Sequence, residues 1–434
     1  MCLANVLEYS TSEDHRVVYG KMGGSLLSRR WYALVLMTVT YAANIADRFS
    51  ISTFIEPIKH ELALTDAGVG FLTGVAIALF YVTVGIPLAV FADRSHRRNL
   101  LAASLAIWSI MTACCGLARS YATLLLSRMG VGIGEAGGTP AASALLADLF
   151  RPAQRPLAFS LFALGAPLGA WVGSSVAGTI AQDHGWRAAF VAFGVAGVVL
   201  AALILVTVRE PARGRLDESV GSAASSLRET LAYIARRPAL IHLLAAGTVL
   251  TFWTWGLIWW TPSFLMRSYG LTLGETGALL GPIHFIGGTG ALLMTTWLMS
   301  WRAMQTPTAI LRFIAWATAL ATIPSCLVYA SPTRTGTILS LWVLIPATYF
   351  YIGPTMGILQ NLVPAGMRSQ VTAILLFCSN VANLVIAPQL LGFLSDCLNA
   401  SSTLGRDSLR WVLAAAALSG FWAAWHLWRS SRAV

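Results

Sequence analysis

Residues 31–56 run WYALVLMTVTYAANIADRFSISTFIE, and how they are read decides the fold. The stretch is apolar over a length that crosses a hydrocarbon core, about 20 helical residues, yet it holds Asp47 and Arg48. A second such stretch, 121–144, holds Arg128 and Glu135. A charge facing lipid costs roughly 2.5–3.5 kcal/mol on insertion scales, so intramembrane charges face one another or a water-filled path. Two acids and two bases on two spans imply a balanced cluster beside a translocation route.

The apolar pattern repeats along the chain. Twelve spans are expected, at 31–56, 67–90, 98–118, 121–144, 155–181, 187–208, 240–265, 273–299, 308–330, 336–359, 366–395 and 409–428. In chain order these are spans 1 to 12. The predicted organisation is a tail (1–30, polar and without a cleavable signal), a six-helix bundle (31–208), a central loop (209–239), a second six-helix bundle (240–428) and a tail (429–434). The central loop carries an amphipathic stretch at Leu227–Arg237. The expected fold class is an all-α integral membrane protein of twelve transmembrane helices. Composition agrees: 56% of the 434 residues are hydrophobic and only 11% charged, where a soluble chain carries about a quarter.

Orientation follows from the basic residues. With both termini in the cytoplasm, twenty of the 29 Lys and Arg fall on the cytoplasmic side and seven outside, with Arg48 and Arg128 in the membrane. That asymmetry is the positive-inside pattern. The net charge of +11 therefore marks topology rather than a nucleic-acid partner. The expected location is the bacterial inner membrane, multi-pass, as a monomer among membrane lipids. The six cysteines, Cys114 and Cys115 included, have no metal or redox spacing, so no metal or cofactor is expected. Asn399-Ala400-Ser401 is a glycosylation sequon, relevant only where the source glycosylates.

Between spans 2 and 3 lies Ala92-Asp93-Arg94-Ser95-His96-Arg97-Arg98. Basic residues suit a helix end at the inner face, and Asp93 can pair with a neighbouring helix end to hold one conformation shut. Together with the six-plus-six topology, this loop resembles the signature of the major facilitator superfamily. The match is carried by Asp93, Arg94, Arg97 and Arg98, while Ala89 and His96 stand where that signature has glycine. The equivalent loop of the second half keeps only Trp301-Arg302-Ala303-Met304. Further stretches resemble the Spinster-like (sphingolipid and lysolipid transporter) branch: Tyr41–Arg48, Arg128–Ala136, Ala147–Phe150 with Arg155, Gly185–Phe190 and Glu210–Gly214. The resemblance implies two bundles built from inverted three-helix repeats that rock about a central cavity, and proton-coupled carriage of lipid-like or poorly defined substrates.

Within the cluster, Arg128 and Glu135 lie two helical turns apart on one face, and Tyr41, Asn44 and Arg48 form one polar stripe. Asp47 points about 100° from Arg48, so the two do different work. Desolvation favours a neutral carboxyl and an adjacent guanidinium favours the carboxylate, so a partner that moves changes proton affinity. The expected coupling set is Glu135 as proton acceptor, Arg48 as its switchable partner and Asp47 as a second protonatable group. Arg128 either holds its helix in register or receives an anionic head. The competing reading is a static ion-pair network that fixes packing. The glycines at 130, 132 and 134 follow no strand, so they serve helix packing or expose backbone to the cavity rather than bind nucleotide.

The second half has no comparable intramembrane acid. Its cavity candidates are His284, in a helix interrupted by Gly281-Pro282 and Gly287-Gly288, and Asn380 and Asn383. For His284 a packing role competes with a site. Trp253, Trp255, Trp259 and Trp260 are expected as an interfacial belt rather than a substrate clamp. Gly165-Ala166-Pro167-Leu168-Gly169 weakly resembles an antiporter motif and favours export.

The expected function is secondary active transport of an amphipathic or lipid-like organic anion. Uptake or facilitated passage of a small organic acid and multidrug efflux are the alternatives. A membrane enzyme would show a nucleophile or metal cluster, and a receptor a larger soluble domain. The chain also lacks a G-x-x-x-x-G-K phosphate loop for ATP-driven pumping.

Overall fold

The computed structural model describes residues 23–75, 96–151, 154–211, 226–304, 306–364, 367–401 and 404–434. Span 2 beyond Val75, with Asp93 and Arg94 of the basic loop, lies outside the described residues. Among the described residues the chain is helices and their connections, with no strand. Bilayer hydrocarbon offers no partner to backbone N–H and C=O groups, so a helix, which satisfies its own, is the economical way across.

Seven described helices are long and apolar enough to cross a membrane. One of them, Leu157–Thr207, has 51 residues. At 1.5 Å per residue it would extend ~77 Å, more than twice the thickness of a hydrocarbon core. Gly185 resolves this, because its φ of 83° and ψ of 157° break the helix. A left-handed φ costs glycine little, and the chain turns back there, so spans 5 and 6 are two crossings. Spans 1 and 4 appear as Gly23–Thr53 and Tyr121–Leu149. Both carry the intramembrane charges that lower their mean hydropathy.

Close helix approach comes from small residues. Gly165, Gly169 and Gly173 recur every fourth residue on span 5, and a Cβ on them would press into the carbonyls of Thr38, Ala42 and Ala46 on span 1. Gly130, Gly134 and Gly138 of span 4 seat Met111 and Trp108 of span 3 in the same way. Without a solvophobic drive between helices in lipid, such close packing supplies much of the association energy.

Several spans contain a short wider turn of π type: Val172–Val176, Phe252–Gly256, Ile283–Gly287 and Val381–Ile386. Each inserts roughly one extra residue and rotates the helix beyond it, a device frequent at functional sites.

The two halves meet at the face remote from the termini. Ser52 donates to the Trp259 carbonyl at 2.6 Å, and Ser175 to the Gly277 carbonyl at 2.7 Å. Gly70 and Gly74 of span 2 lie against the Pro388 and Leu384 carbonyls of span 11. These contacts seal one face and leave a cavity beneath them.

Candidate functional site

Span 1 carries the first wall of that cavity. Tyr41, Ile45, Arg48, Phe49 and Ser52 line it from the first half. Thr251, Trp255, Ile258, Trp259, Tyr351, Thr355, Asn380 and Asn383 line it from the second. The enclosed volume is about 260 Å³, and among the described lining residues Arg48 is the single charged side chain.

Behind this wall the four charges resolve into two pairs. Arg48 donates to Glu135 Oε2 through both Nε (3.1 Å) and Nη2 (2.7 Å). Arg128 donates from Nη1 to Asp47 Oδ2 at 2.8 Å, and Thr112 of span 3 donates to Asp47 Oδ1 at 2.8 Å. The pairs differ in access. Arg128, Asp47 and Glu135 are sealed, while the Arg48 side chain keeps 18% of its surface open. The two acids differ in saturation: both Asp47 oxygens have partners, whereas Glu135 Oε1 is buried with none among the described residues, as are Nε and Nη2 of Arg128.

Of the six cavity candidates, Tyr41, Asn380 and Asn383 line the wall, together with Arg48 of the coupling set, and the other three do not. Asn44 is buried outside the lining. The cavity face of span 1 runs through 41, 45, 48, 49 and 52, and Asn44 sits about 90° from its centre. Arg128 is fully buried against Asp47 and is closed to a substrate head. His284 is also buried and lies behind the wall, its Nδ1 3.1 Å from the Tyr349 hydroxyl and its ring 4.7 Å from Phe49.

The tryptophans require a further correction. Trp253, Trp259 and Trp260 are buried rather than interfacial, and Trp255 and Trp259 line the cavity. The wider turn at Phe252–Gly256 turns them inward. Trp259 is fixed across the two halves, its Nε1 donating to Thr73 of span 2 at 3.2 Å. Trp255 stacks edge-on to Phe49 at 6.1 Å and to Tyr349 at 5.8 Å. An apolar and aromatic second wall is expected from the sequence, but not that the tryptophans of span 7 form it, although four tryptophans within eight residues are its visible signal.

A polar latch, also missed, closes the sealed face. Arg267 at the end of span 7 reaches Glu56 and Asp66 of the first half. Lys59 and Ser395 also bond the Asp66 carboxylate, and Asp396 accepts from the backbone N–H groups of Asp66 and Ala67. Burial alone would raise the Asp66 carboxyl, but Arg267 and Lys59 outweigh it and hold it at about 2. On the same face Arg187 and Trp186 donate to Glu61 and lower its carboxyl below the usual range.

At the terminal face Arg97 pairs with Asp148 and Glu210, and Glu210 also accepts from the backbone N–H groups of Arg97 and Arg98. Asp148 belongs to the first half and Glu210 to the start of the central loop. In this conformation the basic loop braces the ends of spans 3, 4 and 6.

The sequence profile of the Major Facilitator Superfamily matches residues 37–388. The chain belongs to that superfamily. Within it this facilitator is Spinster-like. An MFS-type efflux pump of Mycolicibacterium smegmatis is 32% identical over 392 residues, 89% of this chain and 90% of that one. The sphingosine-1-phosphate transporter SPNS2 of Xenopus tropicalis is 27% identical over 391 residues, 85% of this chain and 74% of the other. The crystal structure of a bacterial homolog of the human lysosomal transporter Spinster, inward-facing and occupied, superposes with a TM-score of 0.80. That pair shares 25% identity and covers 94% and 97% of the two chains. The facilitator is therefore a multi-pass membrane transporter with the twelve-helix fold of its superfamily, and not an enzyme.

Proposed function

We propose that this facilitator is a proton-coupled secondary transporter that exports an amphipathic or lipid-like organic anion by rocking its two halves about the central cavity. The observation that carries the reading is the contrast between the cavity walls. One wall offers a single guanidinium, Arg48, backed by Glu135, and the other is apolar and aromatic. An anionic head fits the first wall and a hydrocarbon body the second. The efflux pump among the relatives supports the direction. With both termini in the cytoplasm of a bacterial inner membrane, the sealed face is external and this conformation faces inward. Asp93, Arg94, Arg97 and Arg98 then form the cytoplasmic gate, and the monomer is the working unit.

Glu135 is the proton carrier in this reading, because its Oε1 is an acceptor with no competing donor among the described residues. Rocking that moves Arg48 toward or away from Glu135 changes the proton affinity of the acid. Export on an inward proton gradient is exchange: Glu135 takes its proton from the outer side after the head has left, and gives it up to the inner side as Arg48 closes on it again. Asp47, with both oxygens occupied by Arg128 and Thr112, is the second acid of the coupling set.

Flux into proteoliposomes at two pH values, across lysophospholipids and short organic acids, tests the whole reading. Saturable flux of lysolipids that strengthens when the side opposite the substrate is acidified is expected. Flux of short acids alone would refute the lipid-like substrate. A Glu135→Gln variant with wild-type pH dependence would remove Glu135 from the coupling.

A further inference from the structure

A second cavity, of about 380 Å³, is walled by spans 8, 9 and 10 alone. It is separated from the central cavity by the helix Ile352–Asn361, whose two faces serve different spaces. Ile352, Thr355 and Met356 line the central cavity, while Gly353, Gly357 and Asn361, each four residues apart, line the second. That spacing places the three on one helical face.

The two glycines are unlike those at the helix seams. A Cβ built on Gly353 or Gly357 meets nothing within 4 Å, and both residues are exposed. They do not let another helix approach; they leave a trough floored by bare backbone. Thr295, Met299, Met304 and Ile310 wall it. Methionine adapts to irregular apolar contents, which suits a flexible hydrocarbon chain better than a rigid ring.

A charge lies beside the trough in the chain. Met299 and Met304, both in its wall, bracket Trp301 and Arg302 in the chain. Trp297 and Trp301 meet edge to face at 4.6 Å and are 58% and 45% exposed, an aromatic pair at one membrane boundary. The acids of residues 240–434 are Glu275, Asp396 and Asp407, and all three belong to the opposite face. No acid of the second half therefore opposes Arg302. Basic positions beside helix clefts at this depth attract phosphate-bearing lipid heads.

We propose that this trough binds one acyl chain of an anionic membrane phospholipid, with the lipid phosphate on Arg302. The site goes beyond the transport reading, because it shares no lining residue with the central cavity.

Native mass spectrometry of the full-length protein, with phosphatidylglycerol or phosphatidylcholine of identical chains added, tests it without any transport. One phosphatidylglycerol retained about fivefold more strongly than phosphatidylcholine is expected, the preference one interfacial arginine gives. Arg302→Gln should lose that preference while still holding a chain. Gly357→Leu, which grows into open space, should lose the retained lipid, and Gly357→Ala should keep it. Equal retention of the two lipids by wild type overturns the proposal, as does retained lipid in a Gly357→Leu protein of unchanged melting temperature. If Gly357→Leu does not fold, an unchanged lipid preference in Arg302→Gln overturns it alone.

Discussion

Two arginines near the centre of the same bundle have opposite tasks. Arg128 is enclosed, and the acid it pairs with, Asp47, is saturated by Thr112. Removing one partner of a buried pair strands the other charge and costs about 3–5 kcal/mol. Arg48 is partly open to the cavity, so water can replace it at lower cost. Arg128→Met should therefore lower the melting temperature far more than Arg48→Met, as read by thermal unfolding of purified protein. Equal losses would show that the two pairs are equally structural. The sequence made the existence of this cluster legible, since charge at membrane depth stands out by its cost. The division of labour was hidden, because it depends on Thr112, a span 3 residue that looks ordinary in an apolar run. The same limit explains Arg128 as a substrate candidate: spacing shows which face a side chain occupies, not which neighbour has already claimed it.

Helices of this chain are legible where period and length suffice, and lose legibility where the period changes. The apolar runs specify spans 3 and 5 to 11 because lipid demands about 20 residues of self-satisfied backbone. The wider turns are not visible in that pattern. One extra residue rotates the remainder of the helix by roughly 100°, so face assignments made at 3.6 residues per turn fail past Phe252 and Ile283. Trp255 and Trp259, expected in an interfacial belt, line the cavity within and beyond the first of these turns, and His284 lies inside the second, packed against Phe49 and Tyr349. The Gly-Ala-Pro-Leu-Gly stretch of span 5 has a firmer reading in the structure than a proline kink. Gly165, Gly169 and Gly173 form the seam with span 1, the helix that carries Asp47 and Arg48. At Gly169 a single methyl would enter the space of the Ala42 carbonyl, and overpacking of this kind costs typically about 1–3 kcal/mol. Gly169→Ala should thus reduce stability by that amount and disturb the register of Arg48 against Glu135. A variant with unchanged melting temperature and flux would show that the seam has slack.

At the scale of the whole molecule, sealing one face depends on groups that sequence reading assigned to loops. Arg267 joins the halves by bridging Glu56 and Asp66, and Asp396 holds the start of span 2 from the other side. Without Arg267, Asp66 would face Asp396 with only Lys59 to offset it. The sealed state should then lose at least a factor of about ten against the state open on that face, or ~1.4 kcal/mol, less than the full cost of breaking a buried pair. The acid limit comes from Asp66, whose carboxyl is depressed from 3.8 to about 2; His60, 3.9 Å from Glu56 Oε2, is solvent-exposed, so its contact with the latch is screened. A depressed acid contributes its full stabilisation above its unpaired value and loses it as pH falls through the paired one. The latch is therefore constant between pH 8 and 5 and weakens only below about 4. Pulsed electron resonance distances between one spin label per half on the sealed face can read this. Wild type should show a single short distance across pH 8 to 5, and Arg267→Ala a second, longer one. A wild-type opening within that range would place a titrating group in the latch itself. A constant latch leaves any pH dependence of transport in the same window to the cavity, where Glu135 waits behind Arg48.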